Sequence, residues 1–375
     1  MISLPGRIVT RRSAVSELSD LLDSPEVSAL VAELDGLNWT GQKGYGARAL
    51  VGACLVKSLY AIPTWTRTAA LIAEHRALAD VLGETPSHWA CYRFCHKLRE
   101  HSDKLADCLD SITEALREEF PDSGVDVAID ASDLTAYANG QRYLYKNGPE
   151  RERYSDPDAS WGHRSAVSTR KGGGFFGYRV HAAVCARTGL PLAWQVRSAR
   201  EHESLFVAAL LDTLRARGFA PETAALDMGY DNNRVYAECE ERACAPVIPL
   251  RRTPEVKRGN HGAPTCEHGT WTFAGANYKR RATHWRCPTG ECSPKSVWIK
   301  ASRLRPLVPR ETRRWRDLYY GRSAVEREFG RLKHEYGLAP LRTRGLARVQ
   351  LHADLVMLAR LSQALARARA VPLAA

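Results

Sequence analysis

The chain has 375 residues, 44% of them hydrophobic, enough for two or three domains or for one core with insertions. It has no apolar run near the ~18 residues that span a bilayer, and its first residues, MISLPGRIVTRRSAVSELSD, lack the unbroken apolar stretch of a secretory signal, so no membrane contact and a soluble, cytoplasmic protein are expected. The formal net charge of +12 favours a polyanionic partner, because Lys and Arg at phosphates gain from counterion release.

Residues 15–120 read as helical. ARALVGACLVKSLYA and TRTAALIAEHRALADVLG carry apolar residues at three- and four-residue steps. Ser87 is placed to cap the helix PSHWACYRFCHKLREH, whose basic and aromatic residues suit either a DNA groove or a helical bundle. After PDSG at 121–124 the pattern changes. VDVAID is a short strand ending at Asp130, continuous enough to be buried on both faces. The polar, Gly-rich stretch 139–174 is too long for a simple connection and is expected to be a functional loop or partly disordered. Within it, Lys171-Gly172-Gly173-Gly174 lacks the rest of a phosphate-binding loop and reads as flexible chain.

FFGYRVHAAVCA and PLAWQVRSA, joined by RTGL, predict an antiparallel hairpin. ESLFVAALLDTLRARG is a helix ended by Gly218, and ETAALDMGYDN is a buried strand closed by Asp227. It runs into a helix capped by Asp231 or Asn232. APVIPLR is a fifth strand, residues 251–312 lack a regular period, and helix returns from about 317. Three early strands followed by αβαβ give an α/β fold with a mixed five-stranded sheet and flanking helices.

Ten cysteines without an export signal are expected as thiols or metal ligands. Cys54, Cys91, Cys95, Cys108, Cys185, Cys239 and Cys244 sit among Ala, Leu and Val and read as small core residues. Cys266, His268, Cys287 and Cys292 instead form C-x-H-x18-C-x4-C, four donors in two close pairs that suit a closed tetrahedral zinc site. His261 and His284 are alternatives to His268. His181 and His202, as lone histidines, read first as structural.

Asp130 and Asp227 close otherwise apolar strands, where a charged residue faces a site or a turn. In YGRSAVEREFGRLKHEYG, one continuous helix puts Tyr319, Arg322, Glu326 and Lys333 at roughly 60°, 0°, 40° and 20° on one face. Glu328 points away, and Val325, Phe329, Leu332 and Tyr336 form the stripe that docks on a core. Read alone, Arg322 and Glu326 are an ordinary i,i+4 ion pair.

The spacing Tyr319-x2-Arg322-x3-Glu326-x6-Lys333 resembles the signature of bacterial insertion-sequence transposases of the insertion-sequence-four-like group, which carry a three-carboxylate (DDE) core. AIDASDLTAYANGQ and ALDMGYDN resemble that group's two aspartate strands, and GYRVHAAVCARTGLPLAWQV the hairpin between them. The similarity covers about 125–360, and 45–100 weakly resembles the helical leader of relatives.

The resemblance implies a ribonuclease-H-like core in which Asp130, Asp227 and Glu326 hold two Mg²⁺ (or Mn²⁺) ions, since hard oxygen ligands are what Mg²⁺ prefers. Asp133 competes with Asp130 as first ligand. The resemblance further implies that Tyr319, Arg322 and Lys333 contact phosphates, and that the insertion touches element ends, with Trp271, Trp285 or Trp298, above all Trp298, stacking on a base. The domains expected are a helical 1–120 for DNA-end binding or dimerisation, core residues 121–250, a basic insertion with a zinc ribbon at 251–312, the glutamate helix at 313–345 and a C-terminal helix at 346–375.

The expected function is metal-dependent cleavage at element ends and strand transfer, by a homodimer or larger assembly on double-stranded terminal repeats and target DNA. The competing readings are a DNA-binding protein that has lost this chemistry and a hydrolytic nuclease of the same fold.

Overall fold

The computed structural model describes residues 14–37, 44–164, 171–251 and 262–370; His261 and the basic run after Arg251 lie outside them. The chain forms two compact units. One takes the described residues up to Glu119, Glu335–Leu338 and those from Asp354 on; the other takes Phe120–His334 and Ala339–Ala353.

The first unit is helical: α1 (Ala14–Leu22), α2 (Pro25–Gly36), α3 (Ala47–Leu59), α4 (Trp65–Glu74), α5 (Arg76–Leu82), α6 (His88–Glu100) and α7 (Ser102–Glu119). Side chains of Ser24, Thr64 and Ser87 accept hydrogen bonds from the first turns of α2, α4 and α6, satisfying amide donors that have no helical partner. α6 buries Ala90, Cys91, Phe94 and Leu98 and turns Trp89, Tyr92, Arg93 and His96 to solvent.

The second unit is built on a six-stranded mixed sheet rather than the expected five. Its strands are β1 (Asp126–Thr135), β2 (Ser160–Arg164), β3 (Gly173–Cys185), β4 (Pro191–Ser198), β5 (Thr223–Ala225) and β6 (Ala245–Val247). β3 is buried from Phe175 onward and pairs antiparallel with β1, β2 and β4. The hairpin β3–β4 is the predicted one, and its turn needs Gly189, which sits at φ +72° where a Cβ would be strained.

β2 was not expected. It lies inside the Gly-rich stretch, and Gly173 and Gly174, read from the sequence as flexible chain, open β3 opposite Arg164 and His163. β5 and β6 add in parallel beyond β1. Parallel neighbours need crossovers, and α8 (Val207–Ala216) and α9 (Asn233–Glu241) supply them. Asn232, not Asp231, caps α9.

The C-terminal helices are α10 (Arg313–Tyr320), α11 (Ser323–His334) and α12 (Leu346–Ala370). The one continuous helix expected across the signature is therefore broken at Gly321 and Arg322. α11 packs on β1 and β3 and buries Val325, Phe329 and Leu332, as the apolar stripe predicts. Each such side chain contributes about 1.5–3 kcal/mol of burial.

Between β6 and α10 the chain makes a small hairpin, β7 (Thr265–Cys266) with β8 (Gly269–Thr270), and a three-stranded ribbon, β9 (Thr272–Asn277), β10 (Ala282–Arg286) and β11 (Ser296–Lys300). No helix among the described residues is long and apolar enough to cross a membrane.

Candidate active site

The site grows from the C-terminal end of β5. Thr223, Ala224 and Ala225 face Asp126, Val127 and Ala128, so two residues further on Asp227 comes level with Asp130. Asp130 does not end its strand, as the sequence suggested. β1 continues to Thr135 because β3 pairs with it throughout, from Val127↔Cys185 to Thr135↔Gly177. Only on the β5 side is its edge left open beyond Ala128 among the described residues, and that opening gives the carboxylates room.

Asp227 turns out of β5 into a 3-10 turn, Met228–Tyr230, where its Oδ1 accepts the Gly229 N–H at 2.7 Å. The same oxygen lies only 2.9 Å from where a Cβ on Gly229 would stand, so the turn tolerates no side chain there without moving the carboxylate. Asp130 Oδ1 accepts the Ala131 N–H at 2.8 Å. Burial, with the charges of Asp227 and Glu203 adding to it, pushes the Asp130 carboxyl up to about 7 against the pull of the Ala131 N–H and Arg322. Tyr230, buried beside Asp130, Glu203 and Asp227, is driven well above the usual phenol range, first by burial and then by their charges.

Glu326 stands in the first turn of α11 with more than half of its side chain exposed. Arg322 joins it to the aspartates: Nη2 donates to Glu326 Oε1 at 2.6 Å while Nη1 lies 3.6 Å from Asp130 Oδ2. The guanidinium also sits 5.7 Å from the centre of the Tyr319 ring, which stacks on Trp315. So the break in the helix keeps Tyr319, Arg322 and Glu326 together. Lys333, in the last turn of α11, donates to the Asp133 carbonyl at 2.7 Å. Glu328, expected to point away, is buried and paired with Arg331 at 2.7 Å.

Sequence reasoning missed three features. Glu203, just after β4, joins the negative cluster. Its carboxyl is raised by burial, opposed by Arg179, whose Nη1 is 3.3 Å away. Arg179 also reaches the Asp133 carboxylate at 3.3 Å and donates to the His163 carbonyl, so Asp133 is engaged by an arginine. Asp231 is buried and accepts from the Arg251 amide at 2.9 Å and from Arg303 Nη1 at 2.8 Å.

Of the lone histidines, His202 caps the turn Glu203–Phe206. His181 is buried against Phe206, and burial drives its pKa down to about 3.

In the insertion, Cys266, Cys287 and Cys292 bring their sulfurs within 4.8 Å of one another, and Cys266 Sγ is 3.9 Å from Cys287 Sγ. His268 is not among them. Its ring nitrogens face Glu291 at 3.3 Å and Glu267 at 3.4 Å. Trp271 and Trp285 form the small core behind the thiols. Trp298 is 54% exposed and stacks on His284 on the other face of the ribbon, 4.6 Å between ring centres. The seven other cysteines are free thiols, buried except for the half-buried Cys95.

No curated protein matches the sequence. Among solved structures, a cryo-EM structure of the piggyBac transposase synaptic complex with hairpin DNA is similar over 97% of this chain and 77% of that one, at 12% identity and a TM-score of 0.43. The profile of the transposase DDE domain matches residues 121–362, which take in the whole sheet, the insertion and α11. The chain, matched over well more than half its length, belongs to the transposase DDE domain family.

Proposed function

We propose that this protein cuts DNA at the ends of an insertion element and joins the freed 3′ ends to target DNA. The observation that carries the reading is the meeting of Asp130 and Asp227 at the open edge of β1, with Arg322 bridging Asp130 and Glu326. Four antiparallel strands, β1 to β4, followed by two parallel ones added through helices support a ribonuclease-H-like core, and the Tyr319–Lys333 signature supports the insertion-sequence-four-like group.

The chemistry of the residues suits two Mg²⁺ or Mn²⁺ ions: the donors are carboxylate oxygens, and burial, with the charges of Asp227 and Glu203 adding to it, raises the Asp130 carboxyl to about 7, a cost that a cation would offset. When bound, such a pair supplies activation of the attacking oxygen and stabilisation of the leaving one. Asp130, Asp227 and Glu326 would hold the ions. Arg322, the counter-ion of the resting site, turns its planar fork to a phosphate, steadied by Tyr319, while Lys333 adds a point charge.

Water attack nicks the strand, and the 3′-hydroxyl so freed attacks a second phosphodiester. Outside the core, the exposed Trp89, Tyr92 and Arg93 face of α6 suits end binding by the helical 1–120 domain, and exposed Trp298 suits base stacking. The protein works as a homodimer or larger assembly on two double-stranded inverted repeats, in the bacterial cytoplasm at the nucleoid.

The test is cleavage of plasmid DNA carrying the gene's own flanking ends with Mg²⁺ or Mn²⁺, by wild type, Asp227→Ala and Glu326→Gln. Metal-dependent breaks at the ends should fall by at least ~10²–10³-fold in both variants, the scale of losing one preorganised electrostatic group. End binding should persist. Binding without any cleavage in wild type would point to a repurposed DNA-binding protein, and breaks without joining to a nuclease.

A further inference from the structure

We propose that Cys266, Cys287, Cys292 and His268 bind one structural zinc ion that fastens the hairpin β7–β8 to the end of the ribbon. Three observations in the insertion converge on this site.

The first is spacing. A tetrahedral ion with Zn–S bonds of about 2.3 Å sets its sulfurs about 3.8 Å apart. Cys266 Sγ and Cys287 Sγ are 3.9 Å apart, and Cys292 Sγ completes a group within 4.8 Å. A disulfide would need about 2.05 Å, and all three are free thiols. Two unlinked thiols at that separation, with a third beside them, leave a point equidistant from three soft donors.

The second is the poverty of the local core. Of the described residues 262–300, only Trp271, Thr283, Trp285 and Cys287 are buried. Segments of about 40 residues seldom hold a fold on so little apolar contact without a metal or a cross-link. The thiols lie against that same small cluster, with Cys266 and Cys292 packed on Trp271, Trp285 and Cys287. An ion there would tie β7, the end of β10 and the turn before β11 at one point.

The third is the surroundings of His268. It leaves the β7–β8 turn two residues after Cys266, and one of its ring nitrogens already faces the carboxylate of Glu291, the neighbour of Cys292. A carboxylate on the second ring nitrogen is the usual outer partner of a zinc-bound histidine, fixing the tautomer and orienting the ring. Exchange of its Glu267 contact for the ion would make His268 the fourth donor. His284, the other histidine of the ribbon, is committed to Trp298 on the opposite face. Four protein donors leave no open position, so the ion holds structure and takes no part in cleavage. Binding converts the thiols to thiolates and releases their protons to solvent.

This ion is chemically and spatially separate from the carboxylates, so its test does not depend on DNA cleavage. The full-length protein, purified without chelators, is analysed for metals and then challenged with a thiol reagent before and after zinc is stripped. Expected are about one zinc per chain and three thiols that become reactive only on stripping. Zinc content should fall at least ~10-fold in Cys287→Ser, and His268→Ala should lose zinc to a competing chelator at least ~10-fold more readily.

Cobalt exchanged into the wild type should give sulfur-to-metal charge-transfer bands, with the ligand-field bands altered by His268→Ala. A zinc-free wild-type protein whose three thiols react at once, or one in which Cys266 and Cys287 are found joined, overturns the site. Unchanged cobalt bands in His268→Ala overturn the role of that histidine. The wild-type measurement decides the matter even where a variant fails to fold.

Discussion

At Asp227 the aim of a single carboxylate depends on a hydrogen atom in the place of a side chain. The Gly229 N–H holds Oδ1 at 2.7 Å, and a Cβ at Gly229 would stand 2.9 Å from that oxygen. Gly229→Ala should therefore rotate the carboxylate away while leaving β5 and the core in place. We expect end cleavage to drop on the order of 10-fold or more, since small misplacements at a reacting centre carry large losses. Chemical unfolding should shift by no more than about 1 kcal/mol. A variant that cleaves as well as wild type would show that Asp227 is not aimed through this contact.

His181 acts on stability instead. Its folded pKa is about 3, lowered by burial and then by Arg179 and Arg197, against an ordinary value of 6.5. Between those values the unfolded chain takes up a proton that the folded chain refuses, so this residue's contribution is present above about 6.5 and is lost as pH falls toward 3. At about pH 5 the loss is about 2 kcal/mol, from about 1.36 kcal/mol per pH unit. In His181→Leu, which cannot titrate, the difference in urea stability between about pH 8 and about pH 5 should shrink by that amount. An identical difference in both proteins would show that His181 ionises freely in the folded state.

At the scale of elements, what could be read in advance was whatever a local period encodes. The β3–β4 hairpin follows from two apolar runs around a Gly-containing turn, and the docking of α11 from Val325, Phe329 and Leu332 at helical steps. The place of Asp130 within β1 was not legible, because the strand's length is set by the distant partner β3 and the residues after Asp130 are polar. β2 was hidden for the same reason: its pairing with Gly173–Gly177 is stabilised by the partner rather than by its own sequence.

The break at Gly321 and Arg322 left no trace in the angular argument, since Arg322 and Glu326 keep their i,i+4 pairing across it. Glu203 and Arg179 could be joined only by knowing the sheet register, which puts Arg179 opposite Asp133 on one side and Arg197 on the other. Spacing found three of the four proposed zinc donors as neighbours. The present rotamer of His268 depends on Glu267 and Glu291, which spacing cannot weigh.

For the whole molecule the governing quantity is the net charge of +12. Binding to the gene's own ends should weaken by on the order of 10³-fold between about 50 and about 200 mM salt, as for proteins that neutralise six or more phosphates. Equilibrium binding with Glu326→Gln, in which strands stay uncut, measures this without interference. Affinity that barely changes with salt would show that the basic residues serve something other than the DNA backbone.

Asp231 carries a consequence for how such a protein can be remodelled. One buried carboxylate receives the Arg251 amide, where the insertion leaves the core, and the Arg303 guanidinium, where it returns. The two ends are thereby clasped together four residues beyond Asp227, whatever lies between them. A loop whose ends are already joined gains length at little entropic expense, about 0.6 kcal/mol per doubling. We expect that the segment between Arg251 and Arg303 can be exchanged for another module while the strands beneath keep their register, checked by the urea stability of such a chimera. Under the proposed function, a DNA-end-contacting insertion is thus free to diverge, or to be engineered, separately from the carboxylates beneath it.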